Sequence, residues 1–183
     1  MRVELHTARL HLRPYRLTDI DALHRLWIDP AVRKYLWDDR IIPRETAAEV
    51  VTASLADWSI HGYGQWTVHV PEGHELIGFC GFRAAEEDLP PELLYGLAPA
   101  YWGRGLAAEA AHAVLRYGFE RLGFARVWAA TDPPNLASVR VMERLGMQFD
   151  RRGTLNGLDT VFYSLSREQF KPTETTFVVI ATD

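Results

Sequence analysis

The stretch LLYGLAPAYWGRGLAAEAAHAVL, Leu93 to Leu115, sets an apolar run, then Gly103-Arg104-Gly105, then an alanine-rich run. Leu93–Leu97 has the composition of a strand, and the residues from Ala107 onward that of a helix. Two glycines at such a junction keep bulky side chains away from the first N–H groups of the helix, which the helix itself leaves unsatisfied. Those amides carry partial positive charge, so the turn suits an anion. Arg104 adds a formal charge at the rim, and Ala107, Ala108, Ala110 and Ala111 keep the helix thin enough to lie close on a sheet. The chemistry suggested is phosphate or pyrophosphate binding by backbone amides. A plain strand-to-helix turn would use the same glycines for geometry alone.

Two other phosphate motifs fit less well. A P-loop needs a Gly-Lys-Ser/Thr ending, which is absent. Gly103 to Ala108 does satisfy the dinucleotide pattern G-x-G-x-x-A, with Asp132 after a later strand. That fold requires further strand–helix crossovers, whereas the chain after Gly146 offers only strands. The bulky Ala100-Tyr101-Trp102 before the first glycine is also foreign to that junction.

Periodicity orders the rest. LHTARLHLRPY reads as one opening strand with Leu10 and Leu12 on a common face. Ile20, Leu23, Leu26 and Trp27 recur at helical spacing up to Pro30, and a second helix runs from near Pro43 to His61, stopped by the glycines at 62 and 64. QWTVHV and ELIGFCGF, separated by Pro71-Glu72-Gly73-His74, read as a hairpin, and PELLYGLAP extends it to a three-strand meander. The glycine turn and a helix to about Leu122 follow. ARVWAATD reads as a strand, NLASVRVMERLG as a capped helix, and MQFDRRG with LDTVFYSLS as a last strand pair. The predicted class is mixed α+β, neither a bundle nor a doubly wound sheet.

The length of 183 residues suits one domain, assigned to residues 1–170. The tail, residues 171–183, either adds a strand, pairs with a partner chain as a homodimer contact, or stays disordered. A formal charge of −4 argues against nucleic acid as the main ligand. The single cysteine, Cys80, excludes an internal disulfide and reads as a small buried hydrophobe. No run approaches the 18 or so apolar residues of a membrane span, and the first residues lack an apolar leader, so the expectation is a cytoplasmic protein with no membrane partner.

PAYWGRGLAAEA followed by NLASVRVMERLGM resembles the GNAT superfamily of acyl-CoA-dependent N-acyltransferases. The family motif Gln/Arg-x-x-Gly-x-Gly/Ala falls on Trp102, Gly105 and Ala107, with Trp102 departing at the first position. Tyr101-Trp102-Gly103 is itself similar to the branch of the ribosomal-protein N-terminal acetyltransferases RimJ and RimL. TARLHLRPYRLTDID, RKYLWDD, GYGQWTV and LIGFCGF follow that branch in order, so the resemblance spans residues 5–168.

The resemblance implies a mostly antiparallel twisted sheet, splayed at the cofactor cleft and flanked by helices. It implies acetyl-CoA as cosubstrate, with the amides of Gly103, Arg104, Gly105, Ala107 and Ala108 on its pyrophosphate. It also implies that the strand ending at Leu97-Ala98 pairs with the pantetheine arm, and that one N–H there, that of Leu97, polarises the thioester carbonyl. Asn135 caps the helix that follows it, and the family's matching asparagine also holds the cofactor arm. Many members place a tyrosine as general acid where this chain has Met142. Ser138, a serine in RimL-like members too, is the nearest substitute, although a local hydrogen bond in the first helical turn is an equal reading.

Acyl transfer to an amine needs a neutral amine, an oxyanion stabiliser and a leaving thiol, with no covalent enzyme intermediate. For the catalytic base, Glu92 and Tyr95 lie on the cleft strand, and alternation sends them to opposite faces. His69 and His74 read as surface or turn residues rather than bases, and no His/Asp/Glu spacing resembles a metal site, so no metal is expected. By resemblance to the branch, Tyr35, Trp37 and Trp66 line the acceptor pocket. The acceptor is an amine, either a protein N-terminus or a small molecule. The alternatives are a larger acyl donor, a non-catalytic acyl-CoA-binding module, or an interaction protein using the Phe177–Ile180 tail.

Overall fold

The opening stretch forms two strands where one was expected. β1 (Arg2–His6) and β2 (His11–Pro14) pair antiparallel, with Leu5 opposite Leu12 and His6 opposite His11. The Thr7 N–H donates to the Leu10 carbonyl at 2.9 Å, so the chain reverses over Ala8 and Arg9. Leu10 and Leu12 are buried as the alternation predicts, and that alternation reads alike on both sides of so short a turn. The structure, a computed structural model, describes residues 2–71, 75–84, 89–173 and 178–182. Glu72, Gly73 and His74 of the predicted hairpin turn, and Phe177 of the tail, lie outside them.

Pro30 ends α1 (Ile20–Trp27) and also begins an unexpected helix, α2 (Pro30–Leu36). A proline at the first helical position sacrifices no hydrogen bond, and the Asp29 carboxylate caps the helix by accepting from the Ala31 N–H at 2.9 Å. α3 (Arg44–His61) stops at Gly62 in the left-handed region, φ +74°. The meander is β3 (Gln65–His69), β4 (Leu76–Arg83) and β5 (Glu92–Leu97). Then come α4 (Leu106–Glu120), β6 (Arg126–Thr131), α5 (Leu136–Arg144), β7 (Gln148–Leu155) and β8 (Leu158–Ser166). Asn156-Gly157, both at positive φ, make the tight turn between the last two. β9 (Val178–Thr182) pairs antiparallel with β1.

The strands of the described residues form one sheet in the order β7-β8-β6-β5-β4-β3-β2-β1-β9. Every neighbouring pair is antiparallel except β5 and β6, which run parallel and register only at Glu92 opposite Trp128. Beyond that pair the two strands diverge, so the sheet is forked at its centre. α4 and α5 pack on one face around Leu106, Ala110, Ala111, Val114, Met142 and Leu145. α1, α2 and most of α3 cover the other through Leu23, Trp27, Val32, Ala47 and Val51. Cys80 is buried and unpaired. Among the described residues, no helix is long and apolar enough to cross a membrane.

Candidate active site

The fork exposes main chain on one side of β5. In its antiparallel ladder with β4, the Ala98 N–H donates to the Ile77 carbonyl at 2.8 Å. Alternation then turns the N–H groups of Tyr95 and Leu97 the other way, toward the gap left by β6. The Leu97 carbonyl on that side accepts the indole N–H of Trp102 at 2.7 Å. Trp102 therefore closes the last acceptor of the strand and leaves its neighbouring donor free, a use of tryptophan where the family motif has Gln or Arg.

A single 3₁₀ turn, Pro99–Tyr101, carries the chain from the fork to the glycines. Gly103 and Gly105 both lie in the left-handed region, φ +70° and +75°, where any side chain would be strained. A Cβ on Gly103 would meet nothing within 4 Å. One on Gly105 would stand 3.5 Å from Nη1 of Arg144 and 3.7 Å from Nη2 of Arg9. Gly105 is the N-cap of the 15-residue α4, so the free amides of the first turn point into a space bounded by these guanidinium groups. The residues present thus fit a bound pyrophosphate: an open cradle, free donors and positive charge. Ala107 is half-buried and Ala108 buried, while Arg104 is exposed with its guanidinium 5.7 Å from the Tyr101 ring.

Arg9 and Arg144 carry no signal in the sequence, because they reach Gly105 from the β1–β2 turn and the last turn of α5. Arg9 is held there by Glu109 of α4, whose carboxylate also accepts from the Thr7 hydroxyl at 2.6 Å, and Arg9 Nη1 donates to the Arg104 carbonyl at 3.0 Å. Among the described residues, Arg144 pairs with no carboxylate. A cleft of about 280 Å³ opens beside them along α4. Replacing Arg144 with alanine is expected to raise KM for acetyl-CoA about tenfold, the loss of one charge-assisted contact, with kcat little changed. Steady-state kinetics at low ionic strength checks this, and an unchanged KM would remove Arg144 from the site.

Of the catalytic candidates, Tyr95 and Ser138 come together. The Tyr95 hydroxyl donates to the Ser138 carbonyl at 3.0 Å and lies 2.9 Å from the Ser138 hydroxyl, bridging β5 to the first turn of α5. Burial pushes the Tyr95 phenol well above its ordinary value near 10, more than the bond to Ser138 lowers it. Asn135 is the N-cap of α5, its Oδ1 accepting from the Ser138 N–H at 3.4 Å and its Nδ2 donating to Thr131 at 2.9 Å. Met142 is wholly buried in the core beneath α5.

Glu92 is not brought to that pair. It lies at the closed end of the fork, buried, ion-paired to Arg83 through Nε at 2.9 Å and also through Nη2. Burial raises its carboxyl and Arg83 works against that rise. Tyr35 does stand beside the fork, its hydroxyl reaching the Pro134 carbonyl of the β6–α5 loop at 3.5 Å, whereas Trp37 packs edge-on against Trp27 with its ring centre 6.0 Å away. Trp66 does not line the fork. It is completely buried, its indole N–H donating to the Val3 carbonyl at 2.6 Å and its ring edge-on to Trp58, which removes it from any acceptor pocket. His69 is no surface residue either; it is buried, with its ring nitrogens on Thr67 and on the Glu75 carbonyl. Asp132, at the start of the β6–α5 loop, feels the charges of Asp38 and of Asp159, which is itself ion-paired to Arg152 through Nε at 2.8 Å. Burial, then the charges of Asp38 and Asp159, push the Asp132 carboxyl above its usual range.

A family model described as an acetyltransferase (GNAT) domain matches residues 9–148. The chain is 31% identical to an uncharacterized N-acetyltransferase, p20, of Bacillus licheniformis, over 91% of this chain and 97% of that one. Its fold matches the crystal structure of an acetyltransferase from Agrobacterium tumefaciens with a TM-score of 0.79 and 28% identity, covering 88% and 93% of the two chains. It also matches the fold of RimL, the ribosomal L7/L12 α-N-protein acetyltransferase in complex with coenzyme A, with a TM-score of 0.71 and 22% identity over 87% and 95%. With the forked sheet, the open glycine cradle and these likenesses together, the chain belongs to the GNAT acetyltransferase family and is an N-acetyltransferase that uses acetyl-CoA.

Proposed function

We propose that the enzyme acetylates a primary amine of a small, positively charged molecule, with Tyr95 and Ser138 as the proton source for the departing thiolate. The observation that carries the proton donor is the Tyr95–Ser138 pair itself, a phenol and a hydroxyl 2.9 Å apart across the fork. Its raised pKa keeps Tyr95 protonated, hence a donor, throughout the neutral range. Met142 then has no bearing on catalysis, and its failure to supply an acid no longer favours a non-catalytic acyl-CoA-binding module. The first-turn amides of α4 and the guanidinium groups of Arg9 and Arg144 bind the diphosphate, and the Leu97 N–H faces the carbonyl that must accept negative charge. Acetyl-CoA, as cosubstrate, supplies the activated thioester carbon that the amine attacks.

For the acceptor, the charges that Asp38 and Asp159 exert on Asp132 support a molecule that brings positive charge, with Asp159 itself already paired to Arg152. A cation there stabilises the Asp132 carboxylate against the burial that chiefly raises it and against the neighbouring negative charges, whereas an uncharged peptide segment does not. Glu92 is tied up by Arg83, so no side chain serves as a dedicated base in this reading and water carries the amine proton away. The rate then rises with pH as the free amine forms. Glu92→Gln is expected to keep that rising limb; its disappearance would make Glu92 the base.

The direct test is acetyl-CoA-dependent thiol release with polyamines, aminoglycosides, N-terminal peptides and lysine peptides. Release with the polycationic small molecules, weakened by Asp132→Asn mainly in acceptor KM, is the expected result. Release with N-terminal peptides alone would overturn the acceptor assignment and leave the acetyltransferase chemistry intact.

A further inference from the structure

On the sheet face away from α4, two histidines and a glutamate from β1 and β2 form a cluster that acetyl transfer does not use. Glu4 and His6 are two residues apart on β1 and so project to one face. His11 on β2 lies directly opposite His6. Because the Thr7–Leu10 pair beside them is hydrogen-bonded, His6 and His11 occupy a non-hydrogen-bonded pair, where cross-strand side chains come closest. The two imidazoles stack with ring centres 4.3 Å apart. His11 Nε2 stands 2.8 Å from Glu4 Oε2, and the other carboxylate oxygen faces Arg16 at 3.8 Å.

One atom in this group is out of place. His6 Nε2 is shut off from solvent and has no hydrogen-bond partner. A polar nitrogen buried without a partner is unusual enough to need an explanation, and a missing ion is one. The ligand atoms of Glu4, His6 and His11 all lie within 4.8 Å of one another. His69, next in the same row across the sheet, has both ring nitrogens engaged and is not a fourth ligand.

We propose that Glu4, His6 and His11 bind a divalent first-row transition metal, with zinc as the type ion. Two imidazoles and one carboxylate are a donor set such ions accept, and three protein ligands leave a fourth position for water. Zinc holds imidazole nitrogen at about 2.0–2.1 Å and carboxylate oxygen at about 2.0–2.2 Å, so tetrahedral ligand atoms stand roughly 3.3 Å apart. To admit the ion, the Glu4–His11 contact opens by about half an ångström and the stacked imidazoles rotate out of parallel so that one lone pair of each meets it. Spacing along the chain hides the site because the hairpin, not one helix or loop, assembles it. The ion would staple the β1–β2 hairpin, whose turn carries Arg9.

The experiment is a zinc titration of tag-free, chelator-stripped enzyme in competition with a chromophoric chelator, with cobalt absorption as a report of coordination. A single ion per chain is expected, with a visible cobalt spectrum of low symmetry and a raised melting temperature. His6→Gln and His11→Gln should each weaken binding at least about 100-fold, and Glu4→Gln about tenfold or more, while His112→Gln, on α4, binds as the parent does. Circular dichroism confirms that each variant folds. Absence of binding in the parent, or equal binding by His6→Gln and the parent, overturns the proposal.

Discussion

Gly105→Val is expected to weaken acetyl-CoA binding by at least about 100-fold while the chain still folds. At φ +75° a valine is strained by about 1–3 kcal/mol, and β-branching makes that region less accessible still. The added side chain also points where Arg144 and Arg9 converge, its Cβ 3.5 Å from Arg144 Nη1. Relief of the strain turns the first amides of α4 off their common target. Hydrogen bonds to a charged group contribute about 1.5–3 kcal/mol each, so misaiming two of them suffices for the predicted loss. Calorimetry with acetyl-CoA measures the loss and thermal melting shows the fold. Gly105→Ala, with the same φ but a smaller side chain, should lie between the two. Undiminished binding by a folded Gly105→Val would discard the pyrophosphate assignment.

Tyr95→Phe should lower kcat by about 100-fold, at the lower end of what a positioned general acid contributes, and change KM for acetyl-CoA little. The modest size follows from the leaving group: a thiol with a pKa near 8.5 departs without much help. Ser138→Ala should cost less, since Tyr95 keeps its bond to the Ser138 carbonyl. If the two hydroxyls act as a unit, the double variant should be hardly slower than Tyr95→Phe, and full additivity would separate their roles. The pH profile supplies a second readout. Burial raises the Tyr95 phenol, so its protonated form persists as the pH rises toward 10 and no falling limb belongs to it. Tyr95→Phe should lower the plateau without moving the rising limb, which belongs to the acceptor amine. A rising limb that shifts in this variant would place Tyr95 in amine deprotonation instead.

Where the sequence reading held, the determinants were local. Gly103 and Gly105 sit at positive φ, which side chains disfavour, and the adjacent alanines form the helix that their composition indicates. Asn135 caps α5 as an asparagine before a helical run should. The opposite orientation of Glu92 and Tyr95 follows from alternation alone and survives in their contacts, one with Arg83 of β4, the other with Ser138 of α5. The reading missed the hairpin at Ala8-Arg9 and the helix begun by Pro30, both at chain reversals of a few residues that alternation and helical period do not mark. Aromatic residues misled it at Trp66, because a tryptophan in a strand looks the same whether its face meets a cleft or Trp58.

By itself, then, the sequence determined the α+β order of elements and the glycine turn that opens α4, each written within a few consecutive residues through φ preference, capping and period. Only the tertiary structure decided which distant groups share that space. Sheet register and helix packing bring Arg9 and Arg144 to Gly105, Ser138 to Tyr95, and His11 to His6. Those meetings depend on how far apart the forked strands stand and where each helix rests on them, and no neighbouring residue encodes either.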